Sequence, residues 1–321
     1  MNGRPLVLPR VLVTGASGFA GGYLVRYLAA QGFYVRAASR RGLPVSGVEA
    51  TVLPDLTKDF DAGPLVEGMD VIVHLAGIAH ATSAIPEAVY HAVNANAART
   101  LAAAARKAGA RQFILMSSVR AQSGPSSSVV LTEAIEPQPT DAYGRSKLLA
   151  EQAVAAVLRG SATDCVALRP VLIYGPGVKG NMSTLERLAR SAAPLPFGGF
   201  TAGRSLLSLR NLGRAIEHCL EMPEGASGTY LVADASPVSV AGIITALRAG
   251  LGRTPGLFSV PTRPIELALR IAGRTNAADR LFGDLVVDTR ALRATGWAPQ
   301  DDTAAALSAW MRASTRRCTA R

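Results

Sequence analysis

The sequence predicts an α/β protein, a doubly wound parallel sheet followed by a smaller C-terminal region. Three observations carry this expectation. Apolar, strand-like runs alternate with stretches of helical periodicity through the first half of the chain. A glycine cluster, Gly15, Gly18, Gly21 and Gly22, stands where the first such run passes into the first helical stretch. The 321 residues are 49% apolar but only 5% aromatic, so a large core can form from small side chains that let helices lie close to a sheet.

The elements follow in order. Val11, Leu12 and Val13 form the centre of a short buried strand over 10–14. Phe19, Tyr23, Leu24, Tyr27 and Leu28 then recur at helical spacing and predict a helix over 18–31. Further strands are expected at 34–39, 50–53, 70–75, 112–117, 165–169 and 229–232, with helices near 62–67, 87–108, 144–159 and 183–192. The alanine-rich stretch 94–108 favours a helix with a thin packing face. Repetition of this kind builds right-handed crossovers into a Rossmann-type sheet. From about residue 176 the pattern loosens into Pro/Gly-rich loops and shorter helices. We therefore expect a sheet domain over 1–175 and a smaller region over 176–321.

Composition narrows the function. The net charge of +11 comes mostly from scattered arginines, without the basic block or interleaved aromatics of a nucleic-acid surface. It suits an anionic small-molecule ligand instead. The locally dense tail, MRASTRRCTAR, reads as a solvated terminus. No uncharged apolar run is long enough to span a bilayer, and the N-terminus lacks a signal-peptide layout, so a cytoplasmic location is expected. Cys165, Cys219 and Cys318 are far apart and odd in number, which argues for a reduced compartment with neither a disulfide framework nor a metal site.

Three patterns carry chemistry. Glycines between a strand and a helix let the backbone turn tightly, and the free N–H groups of the helix start favour a phosphate. Tyr143 and Lys147 stand four apart at the start of a helix, on one face. An ammonium beside a phenol favours the phenolate and makes the tyrosine a usable acid or base. Ser117 and Ser118 follow the apolar FILM run, at the C-terminal end of a strand, where open α/β sheets bind ligands.

With these in register, the chain resembles an extended short-chain dehydrogenase/reductase of the nucleotide-sugar epimerase/dehydratase family. The matching pieces are TGASGFAG (14–21), PDLT (54–57), HLAG (74–77), VNANAARTL (93–101), SSV (117–119), YGRSK (143–147) and LRPVLIYGPG (168–177), continuing through RSLLSLRNLGRAI (204–216) to GDLVVDTRALRATGW (283–297). The resemblance implies a dinucleotide-binding domain over 1–175, with 204–235 returning to it, and a mainly substrate-binding region over 176–321. It also implies that Gly15, Ser17, Gly18, Phe19, Ala20 and Gly21 surround the pyrophosphate of a dinucleotide. It places Asp55 and Leu56 on the adenine side, Leu75, Ala76 and Gly77 along the cofactor, Asn94 in support of the site, and Pro170 to Ile173 against the nicotinamide. Ser118, Tyr143 and Lys147 become the orienting hydroxyl, the general acid/base and the tyrosine and ribose partner. His80, Asn181, Met182, Phe197, Arg204 and Arg280 are implied on the substrate side, the two arginines meeting a diphosphate.

The second strand, FYVRAAS, ends at Ser39 and runs into Arg40 and Arg41. An acidic residue there would hold a free ribose, whereas arginine binds a 2′-phosphate, so NADP(H) is expected over NAD(H), with Arg40 as the ligand. GVKGNM, PLPFGG and RSLLSL most resemble bacterial proteins acting at C4 of UDP-sugars in surface-polysaccharide pathways. The cofactor reading favours a 4-keto reductase making a UDP-6-deoxy-N-acetylhexosamine, with a UDP-sugar 4-epimerase as the alternative. A dehydratase is disfavoured because SSVRAQ offers no carboxylate. A non-catalytic NADP-binding sensor or scaffold is the reading from another class, and the intact Tyr143/Lys147 pair argues against it. The resemblance also implies a homodimer formed through the 87–108 and 144–159 helices.

Overall fold

The computed structural model describes residues 8–42, 45–79 and 85–319. Two units share the chain. The first takes the chain through Ser123, then Glu136–Pro170 and Gly213–Tyr230; the second takes Gly124–Ile135, Val171–Leu212 and Leu231 onward. The changeover falls at Pro170, a little before the expected boundary, and the returning segment is narrower than 204–235. The excursion at 124–135 had no sequence signal beyond the SGPSSS loop.

The first unit opens with β1 (Arg10–Thr14), α1 (Phe19–Ala30), β2 (Tyr34–Ser39), β3 (Glu49–Val52), α2 (Gly63–Val66) and β4 (Val71–His74). It continues with α3 (Glu87–Tyr90), a π-helical turn (His91–Asn96), α4 (Ala97–Lys107), β5 (Gln112–Met116), a 3₁₀ turn (Val119–Ala121), α5 (Ala142–Leu158) and β6 (Asp164–Pro170). Strand order is β3-β2-β1-β4-β5-β6, with Thr14 beside both Ala38 and His74 in parallel register. The order reverses at β1, so the C-terminal ends of β1 and β4 form the switch point where such sheets bind ligands. β1, β4 and β5 are fully buried apart from Arg10, as parallel strands covered on both faces must be. The thin face expected of 94–108 is real: Ala98, Leu101, Ala102 and Ala105 of α4 pack with Ile72, Phe113 and Leu115 of the sheet and Val154 of α5.

The later chain adds β7 (Leu172–Tyr174), α6 (Asn181–Arg190), β8 (Leu206–Ser208), α7 (Leu209–Glu221) and β9 (Gly228–Val232), which takes the sheet edge next to β6. α8 (Val240–Gly250), α9 (Thr262–Ile271), α10 (Thr275–Phe282), α11 (Arg290–Ala294) and α12 (Thr303–Thr319) complete it. Ordered helices thus fill a region whose sequence suggested looser structure. Their core joins Tyr174, Met182, Leu206, Leu247, Leu307 and Trp310, each helix contributing only a few side chains. A stripe that narrow is hard to see in composition alone. Among the described residues no helix is long and apolar enough to cross a membrane.

Candidate active site

The glycine turn after β1 is shaped by contact as well as by conformation. Gly15 has φ +70°, and a Cβ there would lie 2.7 Å from the amide nitrogen of Ala76. A Cβ on Gly21 would lie 2.2 Å from the Gly15 carbonyl oxygen, so α1 can approach β1 only with glycine at this position. Gly18 caps α1 without a side-chain bond, and no acidic residue stands in the first turn. Ser17 and Gly18 are exposed, while Phe19 and Ala20 are half-buried. The cradle therefore presents helix N–H groups beside a surface that no Cβ fills, which fits a dinucleotide pyrophosphate.

Around it stand the other residues expected at the cofactor. Ser39 is buried, and its hydroxyl has no partner among the described residues. Arg40 and Arg41 follow it in the open. Asp55 is exposed and turned inward on its own loop, accepting from the amide and hydroxyl of Thr57 at 3.0 and 2.7 Å. Those bonds hold its carboxyl below the usual range. Leu56 packs against the core, Ala76 is buried, Leu75 is half-buried and Gly77 is exposed.

The catalytic candidates lie together along α5. Asp141 caps the helix, its Oδ1 accepting from the amide of Gly144 at 2.7 Å. This sets the first turn, and Tyr143 and Lys147 follow on one buried face with side chains 9% and 5% exposed. Ser118 follows β5 at its C-terminal end, and its Oγ accepts from the Arg120 amide at 3.1 Å. Burial raises the phenol pKa, while Ser118 pulls the other way. Lys147 Nζ donates to the Met116 carbonyl at 2.8 Å, and burial pushes its pKa down to about 8. Asn94 sits in the π-helical turn between α3 and α4 and is 1% exposed. Its Oδ1 accepts from the Ile78 amide at 2.8 Å and its Nδ2 donates to Ser146 Oγ at 2.9 Å. Ser146 donates in turn to the Tyr143 carbonyl, so the π turn steadies α5 beside the phenol. A Cβ on Gly77 would come within 2.6 Å of Asn94 Oδ1.

A buried polar network beneath this face was not foreseen. Ser117 donates to Glu151, and Arg169 grips the same carboxylate, Nη2 to Oε2 at 2.6 Å and Nε to Oε1 at 3.0 Å. Arg169 Nη1 also donates to Gln122 Oε1 at 3.0 Å. Glu151 had a signal, since it continues the helical spacing from Tyr143 and Lys147. Arg169 and Gln122 had none. His74 is likewise buried, with Nδ1 2.8 Å from Thr14 Oγ1, and burial and the Lys147 charge drive it down to about 3, so its ring stays neutral.

The substrate-side candidates of the second unit are more heterogeneous. Asn181 is exposed at the first position of α6, whereas Met182 is 1% exposed within the core. The Phe197 ring packs tilted against Phe200 at 5.2 Å, and Phe200 stacks on Phe282 at 5.1 Å. The Arg204 guanidinium donates to the carbonyls of Gly283 and Pro125, each at 2.9 Å. Arg280 is exposed on α10, three residues before Gly283. Pro170 is buried at the end of β6 and Ile173 is half-buried in β7. His80 lies outside the described residues.

A glycine cradle at the switch point of a Rossmann sheet, beside a buried Ser–Tyr–Lys group, defines an enzyme of the short-chain dehydrogenase/reductase class. Within that class the chain belongs to the NAD dependent epimerase/dehydratase family, whose model matches residues 11–233. It is 33% identical over 297 residues to a UDP-glucose 4-epimerase of Vibrio cholerae, covering 90% of each chain. A ceramide reductase of Caulobacter vibrioides is 36% identical over 186 residues, 56% of this chain and 51% of that one. The solved structure of MoeE5 in complex with UDP-glucuronic acid and NAD superposes with a TM-score of 0.76 at 26% identity, covering 96% of this chain and 99% of the other.

Proposed function

We propose that this enzyme carries out hydride and proton transfer at C4 of a UDP-sugar. In this reading it runs in the reductive direction with NADPH, giving a UDP-6-deoxy-N-acetylhexosamine for a surface polysaccharide. The observation that carries the proposal is the buried face of α5, where Tyr143 and Lys147 lie one turn apart and the nearby buried Ser118 favours the phenolate. Ser118 orients the C4 oxygen, Tyr143 donates its proton to that oxygen, and Lys147 holds the nicotinamide ribose. When bound, the nicotinamide supplies the hydride to C4. Solvent then returns a proton to the phenolate. Gly15, Gly18 and Gly21 receive the pyrophosphate, and Arg204 and Arg280 are assigned to the substrate diphosphate.

The end of β2 supports NADPH. Ser39 offers a buried, unpartnered hydroxyl where an acid would hold a free ribose, and exposed Arg40 follows it. The 4-epimerase reading is favoured by the Vibrio relative, matched over nearly its whole length, and by NAD in the MoeE5 complex. Incubation with a UDP-4-keto-6-deoxy sugar and NADPH or NADH, with the product identified by NMR, separates the two. Stoichiometric oxidation of NADPH to NADP⁺ with reduction of the C4 ketone to an alcohol supports the reductase. Interconversion of UDP-glucose and UDP-galactose without net cofactor turnover assigns the epimerase.

A further inference from the structure

We propose that Arg120 is a positioning residue for proton transfer, its guanidinium holding the Asp141 cap of the helix turn that presents Tyr143 and supplying positive charge beside the phenol. The inference rests on the reading of Tyr143 as the acid/base group. Arg120 lies in the 3₁₀ turn after β5, with its side chain 15% exposed. Two hydrogen bonds and one close backbone approach tie it to Ser118 and to residues on either side of Tyr143. Its amide donates to Ser118 Oγ at 3.1 Å. Its guanidinium Nη2 donates to Asp141 Oδ2 at 2.5 Å, and Asp141 caps α5 two residues before Tyr143. Its carbonyl oxygen would sit 2.2 Å from a Cβ on Gly144, so the first turn of α5 rests directly on the Arg120 backbone. One residue thereby couples the hydroxyl from β5 to the helix turn that presents the phenol.

The charges around Tyr143 give this coupling a chemical consequence. Asp141 faces it from the helix cap, Tyr90 from α3, and Arg120 and Ser118 from the segment after β5. Burial, Asp141 and Tyr90 disfavour the phenolate, while Ser118 and Arg120 favour it. The sequence assigned this charge effect to Lys147, whose ammonium donates instead to the Met116 carbonyl. An arginine suits the task because it stays charged and can hold Asp141 while its backbone serves Ser118.

The test compares Arg120→Met, Arg120→Lys and the double variant Arg120→Met/Asp141→Asn. kcat is measured against pH, cofactor Kd by fluorescence, and the Tyr143 ¹³Cζ resonance, identified with Tyr143→Phe, by NMR without substrate. In Arg120→Met we expect kcat to fall about ten-fold or more at near-constant cofactor Kd, with the phenol-controlled limb moving up by about one pH unit. Arg120→Lys should recover most of the rate and the wild-type resonance. The double variant should recover the limb, because opposing charges leave together. A wild-type resonance and rate in Arg120→Met overturns the proposal. So does an Arg120→Lys protein as impaired as Arg120→Met, with thermal stability and cofactor binding lost in parallel. If Tyr143→Phe itself turns over normally, the acid/base assignment fails, while the resonance still reports whether Arg120 positions the ring.

Discussion

The two units treat their polar side chains differently. In the first, Ser118, Lys147, Asn94, Glu151 and Arg169 are buried and hydrogen-bonded around the buried face of α5 that also carries Tyr143. In the second, the buried polar network of Tyr174, Asp234, Ser208 and Asn211 centres on one carboxylate, with Tyr174 and Asn211 each donating to Asp234 at 2.7 Å and Asn211 Oδ1 accepting from the Gln300 amide at 3.1 Å. Arg204 braces two carbonyls there, and Met182 fills core. Burial therefore has two meanings. The buried phenol and ammonium near a strand's C-terminal end are the candidate reaction site, whereas the buried carboxylates ringed by donors, Glu151 in the first unit and Asp234 in the second, are fastenings. Substitutions in the first unit should separate chemistry from folding, and those in the second should mix them.

The sharpest test of that contrast is Tyr143→Phe. It keeps the ring and its packing, so melting temperature and cofactor binding should hold while kcat falls on the order of 10²–10⁴. Near-normal turnover on a confirmed substrate would remove Tyr143 from the mechanism. Next in size, Arg40→Ala should weaken NADPH about ten-fold or more and leave NADH nearly unchanged, since Arg40 is exposed and makes no hydrogen bond or ion pair among the described residues. Equal loss for both cofactors in a binding titration would make its role structural.

Arg204→Ala should break the tidy separation. Two carbonyls lose charged donors at a typical cost of about 1.5–3 kcal/mol each, so the melting temperature should drop along with a rise in KM for the UDP-sugar. A raised KM with unchanged melting would show that the ligand role dominates. The smallest effect is expected for cofactor affinity against pH in wild type. Lys147 loses its charge as pH rises through about 8, so affinity should decline gradually above that value. The decline should vanish in Lys147→Ala, measured by the same titration, and its persistence there would assign it to another group.

Much of this was legible from periodicity. Strand and helix alternation determined the parallel sheet, because crossovers of that spacing have one favourable hand. The i, i+4 relation of Tyr143 and Lys147 placed both on one helix face before any fold was known, and the same relation extends to Glu151. The glycines after β1 announced a tight turn, although their close contacts with Ala76 and with one another were invisible. Composition failed in the second unit, where many helices each contribute a narrow apolar stripe to a shared core.

What only the tertiary structure decided is which charges meet. Arg169 reaches Glu151 because β6 lies beside β5 under α5, and Arg120 reaches Asp141 because a twenty-residue excursion returns the chain to the same turn. Neither pairing has a local signature, since each partner is set by strand order rather than by spacing along one element. The sequence by itself determined the chemistry available at the end of the sheet. The fold determined that burial, not Lys147, dominates the phenol, because desolvation depends on what surrounds a side chain in space.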